Sequence, residues 1–94
     1  MNVDLIELLR GIPTDPQLAG QPIRVMAAAE KYKINHSILS RWAYGGMIKI
    51  IESAPKFLLL DEGDVTRVVT IFKMAREQTT SRRAGWILKR VLGR

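Results

Sequence analysis

The chain has no cysteine and one histidine, His36. The first absence excludes a disulfide framework and any thiolate metal site. The second leaves a His-based metal cluster, or a Ser–His pair with a second His to orient it, with little material. Lack of cysteine also fits a reducing cytoplasm. No apolar run approaches the roughly 20 residues that a membrane span needs. The opening MNVDLIELLR is acidic and amphipathic, which is not the pattern of a secretory signal. A Gly-rich phosphate loop is missing too, because Gly45-Gly46 closes a helical pattern and does not join a strand to a helix. Carboxylates are dispersed, with no pair set apart from the surface charges. The expectation is a protein that is not an enzyme and that uses no cofactor or metal.

What is present is basic charge, and its distribution is uneven. The 94 residues carry a net charge of +6 and form one small domain's worth of chain. Residues 1–22 set Arg10 against Asp4, Glu7 and Asp15 and are net acidic. Residues 23–60 hold six Lys or Arg against Glu30 and Glu52. Residues 61–79 are close to balanced. From residue 80 onward Arg82, Arg83, Lys89, Arg90 and Arg94 meet no acid at all. A polyanionic partner suits such a balance, and the charge concentrates on the middle of the chain and on its tail.

The middle reads as two helices with a short break. Val25, Ala28, Ala29 and Tyr32 fall at helical spacing. Lys33-Ile34-Asn35-His36 carries the break, with Asn35 or Ser37 available to cap the second helix. In that helix Ile38, Leu39, Trp42 and Ala43 share one arc, and Trp42 is expected to pack against Tyr32 and the hairpin that follows. The opposite arc holds His36, Ser37, Ser40, Arg41 and Tyr44. All five can form hydrogen bonds and only Arg41 carries a permanent charge. A merely solvated face usually displays several Lys and Glu, so this set suits a reader of base edges better.

Residues 23–72 resemble the excisionase-type, MerR-like winged helix-turn-helix domains. The matching positions are Ala28-Ala29, Ile34-Asn35, Leu39, Arg41-Trp42, Gly46, Met47-Ile48 and Asp64-Val65. The resemblance implies a second helix in the DNA major groove and a hairpin wing against the neighbouring backbone. Arg41 is then the leading base contact. Ser37, Ser40 and Tyr44 reach bases or phosphates, and Asn35 or His36 meets a phosphate at the helix N-terminus. Lys33, Lys49 and Lys56 make backbone contacts. This hairpin departs from many family wings in offering only the two lysines, with Glu52 between them.

The flanks complete the expected architecture: mainly α with a small β-hairpin, a winged helix-turn-helix with an extra N-terminal helix and a basic C-terminal helix. Residues 1–22 are read as that helix, Asn2 to Arg10 capped by Asn2, and a Pro-rich linker. The helix either packs on the domain or docks on another subunit or protein. Residues 23–79 form the central unit. Its hairpin is read as strands Met47–Ile51 and Phe57–Leu60 around a loop from Glu52 to Lys56. A core helix follows, capped by Asp61, with Val65, Val68, Val69, Phe72 and Ala75 in a stripe. Residues 80–94 form a basic amphipathic helix, Arg82 to Leu92, with Ser81 as cap. There Ala84, Ile87, Leu88, Val91 and Leu92 share one arc and Arg83, Arg90 and Arg94 the next. Trp86 lies between Arg83 and Arg90, covering core, binding phosphate, anchoring an interface or lying on a membrane surface. The functional expectation is sequence-specific binding of double-stranded DNA by a cytoplasmic, nucleoid-associated protein. It would act as an excisionase (a recombination directionality factor) or a small transcription regulator. The alternative is a protein–protein adaptor or assembly subunit that self-associates or binds a partner through the first helix or the Trp86 helix.

Overall fold

A strand that passes into a helix with no intervening loop sets the fold. Phe57–Asp61 is extended and Glu62–Gln78 is helical. The computed structural model describes residues 3–93. Its elements are α1 (Val3–Arg10), β1 (Pro22–Arg24), α2 (Val25–Tyr32), α3 (His36–Tyr44), β2 (Ile50–Ala54), β3 (Phe57–Asp61), α4 (Glu62–Gln78) and α5 (Ser81–Leu92). Thus five helices surround a small antiparallel sheet with strand order β1-β3-β2 among the described residues. No helix among them is long and apolar enough to cross a membrane.

The sheet has one strand more than the sequence suggests. Pro22–Arg24 pairs with the inner edge of the hairpin, Ile23 opposite Leu60 and Arg24 opposite Leu59. Its proline is the first residue of an edge strand, where a missing N–H removes no necessary ladder bond. The hairpin boundaries also shift. Ala54 faces Phe57, so the connection is only Pro55-Lys56, and Glu52, Ser53 and Ala54 belong to β2. Met47 does not enter the strand, because its N–H donates to the Trp42 carbonyl at 2.9 Å in the closing turn of α3. Between Ile50 and Glu52 the register slips at Ile51, a bulge on the outer strand. Central position explains why Leu58 and Leu60 of β3 are buried, while β2 is mostly exposed.

A single cluster of buried apolar side chains runs through all five helices and the sheet. Ile6 and Leu9 of α1 enter it, and Arg10 donates to the Arg90 carbonyl at 3.1 Å, tying α1 to α5. The expected cap of α1, Asn2, lies outside the described residues. Val65, Val68, Val69, Phe72 and Ala75 are all buried along α4, with Ile71 beside them. Trp42 is 5% exposed. Its aromatic partner is Phe72 of α4, edge to face with centroids 4.9 Å apart at 65°. In α5 the buried face is Ala84, Ile87, Leu88 and Val91. Thr80, one residue before the expected Ser81, caps it by accepting from the Arg83 N–H at 3.3 Å.

The β3–α4 corner gathers parts distant in sequence. Asp61 Oδ1 accepts from the Gly63 and Asp64 N–H groups, as expected of a helix cap. Its other oxygen accepts from the Gly20 N–H at 3.0 Å. The Glu62 N–H donates to Gln21 and the Gly63 N–H to Leu18, so residues 18–21 are stitched along the start of α4. Glu62 is itself buried, and its carboxylate accepts from Lys31 Nζ at 2.7 Å and from the Tyr32 hydroxyl. Tyr32 in turn accepts from the Thr66 hydroxyl at 3.2 Å. The bond from Lys31 first, and that from Tyr32 second, hold the Glu62 carboxyl below its ordinary value of 4.5, against the opposing effect of burial. The same bond raises Lys31 above its ordinary value.

Two helical glycines predict opposite outcomes. A Cβ on Gly63 would lie 2.8 Å from the Ala19 Cα and 2.9 Å from Thr14 Cγ2, against backbone that the corner holds in place. Gly63→Ala should therefore cost about 1–3 kcal/mol, more than the gain in helix propensity returns. A Cβ on Gly85, within α5, meets nothing within 4 Å. Gly85→Ala should stabilise by about 0.5–1 kcal/mol. Thermal melts of the two variants check both signs.

Acid supplies a second test of the corner. A carboxyl with a lowered folded pKa contributes stability above its unfolded value and loses it as pH falls through the folded one. Glu62→Gln should melt below the parent at neutral pH, and the gap should close below about pH 4.5, the ordinary Glu62 value. Melting curves from pH 7 to acid check it; a gap that stays constant would show that the bonds from Lys31 and Tyr32 do not favour the ionised form.

Candidate nucleic-acid interface

The element that carries the proposed contacts is held firmly at both ends. α2 is closed by Lys33, which lies just past its last residue and adopts a left-handed conformation (φ 56°) while the Ile34 N–H reaches back to the Ala29 carbonyl at 3.0 Å. Asn35 then starts α3, its side-chain oxygen accepting from the Ser37 N–H at 2.7 Å. Asn35 is thus the cap that the sequence offered, and Ser37 is released to point outward. At the far end the Gly46 and Met47 N–H groups return to the Ala43 and Trp42 carbonyls, with Gly46 at φ 85°. That paired closure favours glycine, because its left-handed residue has no Cβ to clash.

Between these ends Leu39, Trp42 and Ala43 are buried and Ile38 is half-buried. His36, Ser37, Arg41 and Tyr44 are exposed and Ser40 is half-buried, so the polar arc faces outward as the periodicity implies. Tyr44 is 68% exposed, well beyond what a packed ring shows. Asn35 and Lys33 are exposed at the turn. Lys49 precedes β2, its N–H bound by Asp64 Oδ2 at 2.9 Å, and Lys56 sits on the two-residue hairpin turn; both are exposed.

The tail places its cations in two sets. Arg83 lies beside Trp86, and the Arg90 guanidinium sits over the Trp86 ring at 5.6 Å, a cation–π contact. Trp86 is 46% exposed, so its ring both covers and shows. Arg82 borders this Trp86 surface too, and with Lys89 it also reaches the other side of the ring. With Arg41 they line a groove of about 750 Å³ between α3 and α5, whose floor includes Trp42, Met47 and Phe72. Arg41 is therefore the one expected base contact that the fold brings together with tail cations.

No match answers to this chain. Its comparison with protein-family models, with curated proteins and with solved structures yields none in any of the three. What the residues do must come from their own arrangement.

Electrostatics sorts the tail further. Lys89 and Arg90 occupy the last turn of α5, where cations complement the negative end of the helix dipole. Arg82 and Arg83 stand in its first turn, with no acid beside them there. Each runs against the dipole by roughly 0.3–1 kcal/mol at low ionic strength. The helix dipole thus favours Lys89 and Arg90 where they stand and opposes Arg82 and Arg83. Sequence reading missed that Arg82 and Lys89 line the same groove as Arg41. The spacing of Arg82, Gly85, Trp86 and Lys89, three, four and seven residues apart, marks a single face of α5.

Lys33 offers a direct test of whether its place at the turn is set by folding. A non-glycine residue in the left-handed region costs about 1–2 kcal/mol relative to its right-handed form. Lys33→Gly should raise stability by about 1 kcal/mol, a midpoint gain of roughly 4–8 °C for a domain of this size. A differential scanning measurement decides it, and a lower midpoint would show that the lysine stem contributes packing greater than the backbone cost.

Proposed function

We propose that the chain binds double-stranded DNA as a winged helix-turn-helix unit. In this reading α3 enters the major groove and the β2–β3 hairpin lies against the flanking backbone. The observation that carries it is the outward face of α3: Ser37, Arg41 and Tyr44 are exposed, Ser40 is half-exposed, and the helix contains no acid. The Arg41 fork suits guanine O6 and N7, and the small hydroxyls suit bases or phosphates. Lys33 at the turn, Lys56 on the hairpin and Lys49 beside it supply cations for the backbone, with His36 and Asn35 near the N-terminal turn of α3. Arg83 and Arg90 add charge that needs no particular sequence. The excess of basic charge supports a polyanionic partner. The biological role that fits the resemblance is an excisionase or a small transcription regulator associated with the nucleoid.

A second reading has one observation in its favour, the half-exposed Trp86 on an amphipathic helix. An adaptor that keeps this fold would associate through such a surface and without DNA readout. Salt separates the two, since counterion release makes DNA binding fall steeply as salt rises, whereas apolar association persists.

The test begins with selection of a preferred duplex from a random pool. Arg41→Ala should then lose about 1–3 kcal/mol on the selected site and much less on random duplex. Equal losses on both would make Arg41 a phosphate contact. If the parent selects nothing and binds no duplex at low salt, the DNA reading is wrong.

A further inference from the structure

The groove between α3 and α5 has features that reading a duplex does not require. Its two walls are helix faces. One is Ile38, Arg41 and Gly45; the other includes Arg82, Gly85, Trp86 and Lys89. The α5 wall from Ser81 to Lys89 runs about 12 Å along its axis, enough for two turns of a guest helix. Phe72 and Met47 close the bottom, so the floor is aromatic and aliphatic. Such a floor rewards apolar burial, which phosphates and base edges do not offer.

Gly85 keeps the α5 wall low. The space where its Cβ would lie is open, so nothing in the chain itself fills the position. A glycine inside a helix is a stability cost that internal packing does not explain here. The rim is cationic on both sides, Arg41 on α3 and Arg82 and Lys89 on α5, and no carboxylate lines the groove. Neither α3 nor the described part of the tail contains an acid that could neutralise it. The α1 helix of a second copy is a poor guest, since its Ile6 and Leu9 are already buried in their own core.

We propose that this groove binds an acidic amphipathic α-helix of a partner protein. The guest's apolar residues at positions i, i+3 or i+4 and i+7 lie on Ile38, Met47 and Trp86, and its carboxylates meet Arg41, Arg82 and Lys89. The proposal does not depend on DNA binding, and Arg41 belongs to both surfaces.

The experiment uses the full chain without DNA. The probe is a synthetic helical peptide of about five turns with Leu at the i, i+3, i+4 and i+7 positions and Glu elsewhere. Its control has Lys in place of every Glu. Tryptophan emission follows the titration, since Trp86 is half-exposed and Trp42 already buried. The acidic peptide should shift the emission to the blue and saturate, and the basic one should not. Gly85→Met fills the groove with a flexible side chain and should fold at least as well as the parent. It should bind the acidic peptide at least tenfold more weakly. The double variant Arg82→Glu/Lys89→Glu should lose binding by a similar factor. Equal binding of both peptides, undiminished binding by Gly85→Met, or no response in the parent would overturn the proposal. So would light scattering that shows a dimer abolished by Gly85→Met, because the groove would then hold a second copy. A Gly85→Met variant that loses duplex affinity, with no peptide bound by the parent, would assign the groove to DNA instead.

Discussion

The carboxylates of Asp61 and Glu62 organise this protein. One caps the longest helix and also holds residue 20; the other draws in the end of α2 through Lys31 and Tyr32. Both lie largely out of water. A buried carboxylate without partners would destabilise the fold by several kcal/mol, so each partner matters more than an equivalent surface contact. Among the described residues no buried side-chain polar atom lacks a hydrogen bond. The corner also fixes geometry. Tyr32 is the last residue of α2, and the turn that aims α3 begins at the next residue, so the placement of the polar face of α3 is inherited from Glu62.

Local features were legible in the sequence where one element decided its own form. The phase of α3, its Asn35 cap and its glycine ending needed only nearby residues, and the structure has all three. The α4 cap and stripe were legible for the same reason. What escaped was decided by partners far along the chain. Three residues of β1 carry no periodicity, and Pro22 argued for a loop until β3 supplied a ladder. Met47 and Ile48 have the composition of a strand, yet the Met47 N–H is already used to close α3. Trp42 was expected against Tyr32 and the hairpin, whereas the ring it meets edge to face belongs to Phe72, thirty residues on. The candidate site divides likewise. The α3 face could be read from a helical wheel, while the groove that Arg41 shares with Arg82 and Lys89 depends on how α5 packs on α4.

Charge on α5 follows from two different physical requirements. Lys89 and Arg90 sit where the helix's own carbonyl ends favour cations, and Arg90 gains further by lying over Trp86. Arg82 and Arg83 occupy the end where the backbone already presents positive partial charge. A chain optimised for stability alone would place acids there. Both side chains are exposed, so water and salt screen that cost. The aromatic floor beside Arg82 is what distinguishes its neighbourhood from that of Arg83.

The bulge at Ile51 has a consequence for how copies of this chain can meet. A small sheet between helices leaves two open edges, and an open edge can be extended by a strand from another molecule. Here one edge is β1, only three residues long and begun by a proline that has no N–H to give. The other is β2, where the extra residue breaks the ladder and Glu52 stands exposed directly after it. Neither edge is a long, flat template, so the architecture disfavours fibrous stacking and strand exchange. The two edges are thus closed to strand addition by different means, one by its length and its proline, the other by the bulge.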